Sequence, residues 1–239
     1  MPSSNLLVRF LCRLSAGAAL ALLLGLGGCA SETLFRSSFN TQAPGTVPAA
    51  AQSVGTAQVF GDPGSVVIAA PVGGSSENWV KISRANAQTS QVSTFQGVLS
   101  KTPGAGNYGF LGAFFIPSGA GLASVEFDTG PVGAPALTSF LHLDFKDNFV
   151  RINDDDGNTW GTFPRDQVFT LSVNLEITSS SAIAHMALFG TGTSGTKDFT
   201  IPSPFSNFAQ QFGAIRVFMG FPWTGSFDAT DLLVTHRTD

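Results

Sequence analysis

Cysteine is almost missing from this chain. There are two in 239 residues, Cys12 and Cys29. Both fall near the amino terminus, so everything after them must hold together by packing, without a disulfide. Charge is scarce as well: 12% of the residues are Asp, Glu, Lys or Arg, and the net charge is −4. The 12 Lys and Arg form no cluster. That excludes a nucleic-acid binder, whose phosphate contacts need grouped cations. One tyrosine and three tryptophans stand against 22 phenylalanines. Phenylalanine has no polar handle, so the excess is mostly a packing statement. Burying one ring contributes about 1.5–3 kcal/mol. Helical periodicity is nearly absent, with Ser206–Phe212 the one short candidate. Signatures of chemistry are missing too. No G-x-S-x-G nucleophile elbow occurs. His142, His185 and His236 lie too far apart for metal-ligand spacing; on strands, His142 and His185 read as solvent-facing or satisfied.

What the chain does have is a period of two. Phe169, Leu171, Val173, Leu175 and Ile177 alternate with Thr170, Ser172, Asn174 and Glu176, the pattern of a strand with one buried and one wet face. Leu141, Leu143 and Phe145 alternate with His142, Asp144 and Lys146 in the same way. Phe149–Ile152 then leads through Asn153–Asn158, which contains Asp156-Gly157, into Thr159-Trp160. An Asp-Gly pair between two strand runs signals a hairpin. Many short strands separated by Gly, Pro, Ser and Asn predict an all-β fold, a two-sheet antiparallel sandwich.

The amino terminus follows another rule. Arg9 and Arg13 precede an apolar run, Leu14–Gly28, that ends in small residues. This is the order of a secretory signal. The run is shorter than the roughly 20 residues a spanning helix needs. Its end, Leu26-Gly27-Gly28-Cys29, resembles the lipobox of bacterial lipoproteins. The resemblance implies a signal peptide over 1–28, cleavage before Cys29 and acylation of Cys29 with chains such as palmitate. Residues 29–34 are then the lipidated cysteine and a short tether, and 35–239 a single β-sandwich domain. Two or three acyl chains, at about 0.8 kcal/mol per buried methylene, anchor a protein stably where one is marginal. Ala30 and Ser31 lack the aspartate that resembles an inner-membrane retention signal. The expected location is therefore the bacterial outer membrane, with the domain facing the periplasm or the outside.

Three stretches resemble concanavalin A-like (laminin G-like) jelly rolls. Leu34–Asn40 followed by Pro44–Pro48 is similar to their opening strand, Leu141–Glu176 to their core, and Gly225–Val234 to their last strand. The resemblance implies a jelly-roll sandwich and says less about activity.

Glycoside hydrolysis, known in some jelly rolls of this type, needs two carboxyls flanking the sugar. The best strand pattern is Glu126-Phe127-Asp128-Thr129-Gly130, where the third acid is replaced by Gly130. The expectation is a solvated strand face and no enzyme. Asn153-Asp154-Asp155-Asp156-Gly157 suggests calcium, but placing Gly157 at the sixth position of an EF-hand loop leaves Ile152 and Phe163 at required ligand positions. No cofactor is expected, a structural calcium near Asp154–Asp156 being the one alternative. Gly104–Gly109 and Gly190–Gly195 fit G-x-G-x-x-G, and Ser194–Lys197 fits S-x-x-K, but no helix follows any of them. They read as hairpin loops.

The remaining candidates are aromatic. Trp160 follows the acidic hairpin, and Trp223 sits in Phe221-Pro222-Trp223-Thr224-Gly225 before the last strand. Tryptophan beside Asp and Asn at a loop tip can stack a sugar and hydrogen-bond it; the alternative for each, as for Trp79, is a core or edge plug. Two functions of different class follow. One is a membrane-anchored binding module for glycan or another cell-envelope ligand, built from Asp154, Asp155, Asp156, Trp160 and Trp223. The other is a non-catalytic structural or assembly lipoprotein that binds another envelope protein. A glycoside hydrolase-like enzyme is a distant third.

Overall fold

The computed structural model describes residues 31–86, 92–134, 138–153, 155–202 and 212–237. The signal segment, Cys29, Asp154 and all but Phe212 of the Ser206–Phe212 helix candidate lie outside them. Strands are numbered in chain order. The first sheet runs β13 (Thr196–Ile201), β12 (Ala182–Phe189), β11 (Val168–Ile177), β6 (Gly106–Phe115), β15 (Gly225–Arg237), β4 (Trp79–Arg84) and β3 (Val66–Ala69), with β1 (Glu32–Arg36) also paired to β15. The second runs β10 (Asp155–Thr162), β9 (Phe149–Ile152), β8 (Ser139–Lys146), β7 (Ala123–Asp128), β14 (Ala214–Met219), β5 (Ser93–Val98) and β2 (Thr56–Phe60). The strand pairs are antiparallel. The architecture is the two-sheet sandwich that the alternation predicted.

The inner faces meet in a core dominated by phenylalanine. Phe114, Phe145, Phe163 and Phe169 pack with ring centroids 5.4–5.9 Å apart, and Phe110, Phe127, Phe140 and Phe212 form a neighbouring group. Such pairs add about 0.5–1.5 kcal/mol each beyond area burial.

The structure redraws several boundaries. The first strand begins at Glu32, not near Phe35, because Leu34 and Phe35 are fully buried and β1 is registered against Leu233–His236. The segment 196–201, whose first two residues read as loop and which carries no predicted strand, is strand β13, held by six consecutive pairings with β12. Gly106–Gly109, also expected as loop, opens β6. The turn after Ile152 is tighter than expected: Asn153 takes φ 55° and Asp155 already pairs with Ile152. The polar residues 156–158 are instead accommodated as a bulge within β10.

Phe35 explains one glycine. A Cβ at Gly97 would lie 2.7–2.9 Å from its ring. Gly97→Ala is expected to cost about 1–3 kcal/mol, as overpacking does, read as a lower urea midpoint with unchanged slope. An unchanged midpoint would show that β1 can shift.

Candidate functional site

The alternation that fills the core also aligns the residues on the outside. On β7, Ala123, Val125 and Phe127 are buried inward, which turns Ser124, Glu126 and Asp128 to the outer face. On β8 the outward set is His142, Asp144 and Lys146; on β14 it includes Arg216 and Phe218; on β5, Thr94 and Gln96. Register joins them into two adjacent rows across the second sheet. One row reads His142, Glu126, Arg216, Gln96, Gln58. The next reads Arg151, Asp144, Ser124, Phe218, Thr94, Phe60.

These side chains are not a solvated strand face, which corrects the expectation for Glu126 and Asp128. Asp128 is fully buried and Glu126 is 8% exposed. The reason is Arg216, supplied by a strand distant in sequence. Its Nε donates to Asp128 Oδ2 at 2.6 Å and its Nη2 to Asp128 Oδ1 at 3.1 Å, while Nη2 also pairs with Glu126 Oε2. His142 lies between two carboxylates, Nδ1 at 3.3 Å from Glu126 Oε1 and Nε2 at 2.9 Å from Asp144 Oδ1. Ser124 Oγ donates to Asp144 Oδ1 at 2.5 Å, which commits its proton to a carboxylate. Phe218 fills the space between the His142 ring, 5.6 Å away, and the Arg216 guanidinium, 5.7 Å away.

Burial sets the electrostatics. Desolvation pushes the Glu126 carboxyl above the ordinary carboxylate range; Arg216 and His142 pull it down, and Asp128 and Asp144 push it up. Asp128 is raised by desolvation too, against the hydrogen bond and charge of Arg216. Beside this network a cleft of about 530 Å³ opens on the outer face, lined by Val59, Phe60, Gly61, Val92, Thr94, Val132 and Arg216.

The residues singled out from sequence are distributed otherwise. Asp155 bonds within its own turn, Oδ1 accepting from Gly157 N at 2.8 Å and Oδ2 from Asn158 Nδ2 at 2.7 Å. Asp156 pairs with Arg151 at 2.5 Å. Trp160 is 7% exposed and part of the core, and Trp79 is buried. Trp223 is half-buried against the core, with Lys146 Nζ 4.7 Å from its ring centroid and its carbonyl held by Arg84. Lys146 borders the β8–β9 turn, whereas the acidic residues follow the β9–β10 turn. Arg151 reaches residues at both turns, pairing with Asp147 as well as Asp156, but among the described residues no contact joins Asp155 or Asp156 to Trp223. Among the described residues, no group of three or more His, Cys, Asp or Glu side chains is arranged to hold a metal ion.

Sequence reasoning passed over Gln96, Arg216 and Phe218. The outward alternation on β7 and β8 was the available signal; the partner that buries the acids comes from much further along the chain.

No family model and no curated protein sequence matches the chain. Solved structures do. A carbohydrate esterase from the Shiga toxin-encoding bacteriophage phi24B superposes with a TM-score of 0.51 at 9% identity, covering 88% of this chain and 100% of that one. The catalytic domain of a glycoside hydrolase family 131 protein from Coprinopsis cinerea also gives 0.51, at 14% identity, over 85% and 94% of the two chains. Lectin II from Ulex europaeus is similar at a TM-score of 0.47 and 10% identity, over 88% and 99%. At these identities the likeness is one of fold, and that fold is the concanavalin A-like jelly roll.

Proposed function

We propose that this protein is a lipid-anchored glycan-binding protein of the bacterial envelope, with the glycan held on the outer face of the second sheet. The observation that carries this is the accessible part of the two rows described above: the Gln58 amide, the His142 imidazole and the Arg216 guanidinium beside the Phe60 ring and the cleft, above a buried carboxylate network. Sugars offer hydroxyls that both donate and accept, together with an apolar C–H face. Planar polar groups and an aromatic ring complement both. The matched structures of this fold include a carbohydrate esterase and a glycoside hydrolase domain, which supports glycan as the ligand class. Binding rather than cleavage is favoured because Arg216 is shared by Glu126 and Asp128, and the Ser124 proton is committed to Asp144.

The anchoring part of the proposal rests on Leu26–Cys29. Strand β1 begins at Glu32, so on this reading the tether ends before that residue. Among the described residues no helix is long and apolar enough to cross a membrane. Cys29→Ser is expected to abolish incorporation of labelled palmitate; undiminished labelling would sink the lipidation reading.

For the site, full-length protein in a detergent without a sugar headgroup is applied to a broad glycan array. Retention of at least one glycan class is expected. His142→Ala should weaken it about ten-fold, or roughly 1.4 kcal/mol, without unfolding the domain. No retention on the array would overturn the glycan reading. A single stoichiometric envelope protein recovered by crosslinking would favour the assembly role instead.

A further inference from the structure

The cleft beside Arg216 is rich in donors that lack acceptors. Arg216 uses Nε and Nη2 on Asp128 and Glu126, and its Nη1 has no acceptor among the described residues. Thr94, which lines the same cleft, has no partner for its hydroxyl among them either. Next to it on the same face, Gln96 is fully buried. Its Oε1 accepts from Val132 N at 3.0 Å, while its Nε2 has no partner among the described residues. Val132 is itself a wall of the cleft, and Val59, Phe60 and Val92 make the rest of its lining apolar.

A buried unpaired donor calls for an acceptor; of these three only Gln96 Nε2 is fully buried, and the other two can exchange water for an acceptor on a ligand. An anion is disfavoured, because Arg216 already faces two carboxyls and Asp144 stands in the adjoining row. A neutral carbonyl flanked by a small apolar group meets both demands. We infer that the cleft takes the acetamido group of an N-acetylated amino sugar, its carbonyl oxygen on Arg216 and Thr94 and its methyl against the Phe60 and Val132 side chains. This rests on the glycan-binding reading above. The cleft is much larger than one acetamido group, so it also admits the rings that carry it. A plain hydroxyl at the same ring position is too short to reach the apolar wall and satisfies fewer donors.

The test is calorimetric titration of the full-length protein, in a detergent without sugar, with tetra-N-acetylchitotetraose and with cellotetraose. These share a backbone and differ in acetamido against hydroxyl. The acetylated tetramer should bind at least roughly ten-fold more tightly. Thr94→Val should cut that preference about three- to ten-fold. Equal affinity for the two tetramers, or an N-acetylated peptide binding as tightly as the sugar, would overturn the acetamido inference. Retention of other glycans with neither tetramer bound would overturn it as well, leaving the glycan-binding reading intact. If no saccharide binds at all, the reading beneath it fails.

Discussion

Arg216→Leu should cost about 3–5 kcal/mol of stability at neutral pH, the usual loss when one member of a buried ion pair is removed. The substitution strips Asp128, fully buried, of a two-point contact and Glu126 of its nearest cation. The loss should shrink as the pH falls. Both carboxyls already lie above their ordinary range in the folded protein because burial disfavours their charged forms. A raised acid binds its proton more tightly when folded than when unfolded. Its contribution to stability is therefore complete below the unfolded value and is lost as pH rises through the folded one. Without Arg216 the folded values rise further, so the gap between variant and parent widens towards neutral pH. Denaturant titrations at about pH 4.5 and 7.5 measure this. Equal losses at the two values would mean that Arg216 contributes by packing alone, through its stem and its contact with Phe218.

The second large effect runs in the opposite direction. Asp228 on β15 pairs in register with Lys81 and Phe115. It is 5% exposed, and its Oδ1 has no hydrogen-bond partner among the described residues. Desolvation pushes its carboxyl to about 6, with Lys81 opposing. At 1.36 kcal/mol per unit, ionising Asp228 in place costs about 3 kcal/mol. That stability is present below pH 4 and lost as pH rises through about 6. Asp228→Asn removes the charge and keeps the shape. It should raise stability by about 3 kcal/mol at pH 7.5 and leave it nearly unchanged at pH 4, where both side chains are neutral in the folded protein. The thermal midpoint followed across that range checks it. A variant less stable than the parent at pH 7.5 would show that the Lys81–Asp228 attraction outweighs the desolvation.

The strands were legible wherever side chains alternate strictly. Val168–Ile177 appears with the expected bounds, because each inward residue on it is apolar and each outward one polar. Thr196–Ile201 was not legible: it lies at a sheet edge, little of it is buried, and only its pairing with β12 makes it a strand. The tryptophans show the limit from the other side. Trp160 after the polar run Asn153–Thr159 reads as a loop-tip platform, yet the bulge after Asp155 returns the chain to strand geometry and turns the indole inward.

The candidate site divides along the same line. Outward placement of Ser124, Glu126, Asp128, His142 and Asp144 follows from local alternation, which needs only the pleat of a strand. Whether such a row is wet or buried does not. That depends on which distant strand lies alongside, and on what that strand carries. Residues 126 and 216 become neighbours only because β14 inserts between β7 and β5. By itself the sequence determined an all-β sandwich with a phenylalanine core and a polar outer face, through a periodicity that is a property of each strand alone. The tertiary structure decided that Arg216 would meet Glu126 and Asp128, because long-range register is set by the fit of the whole core.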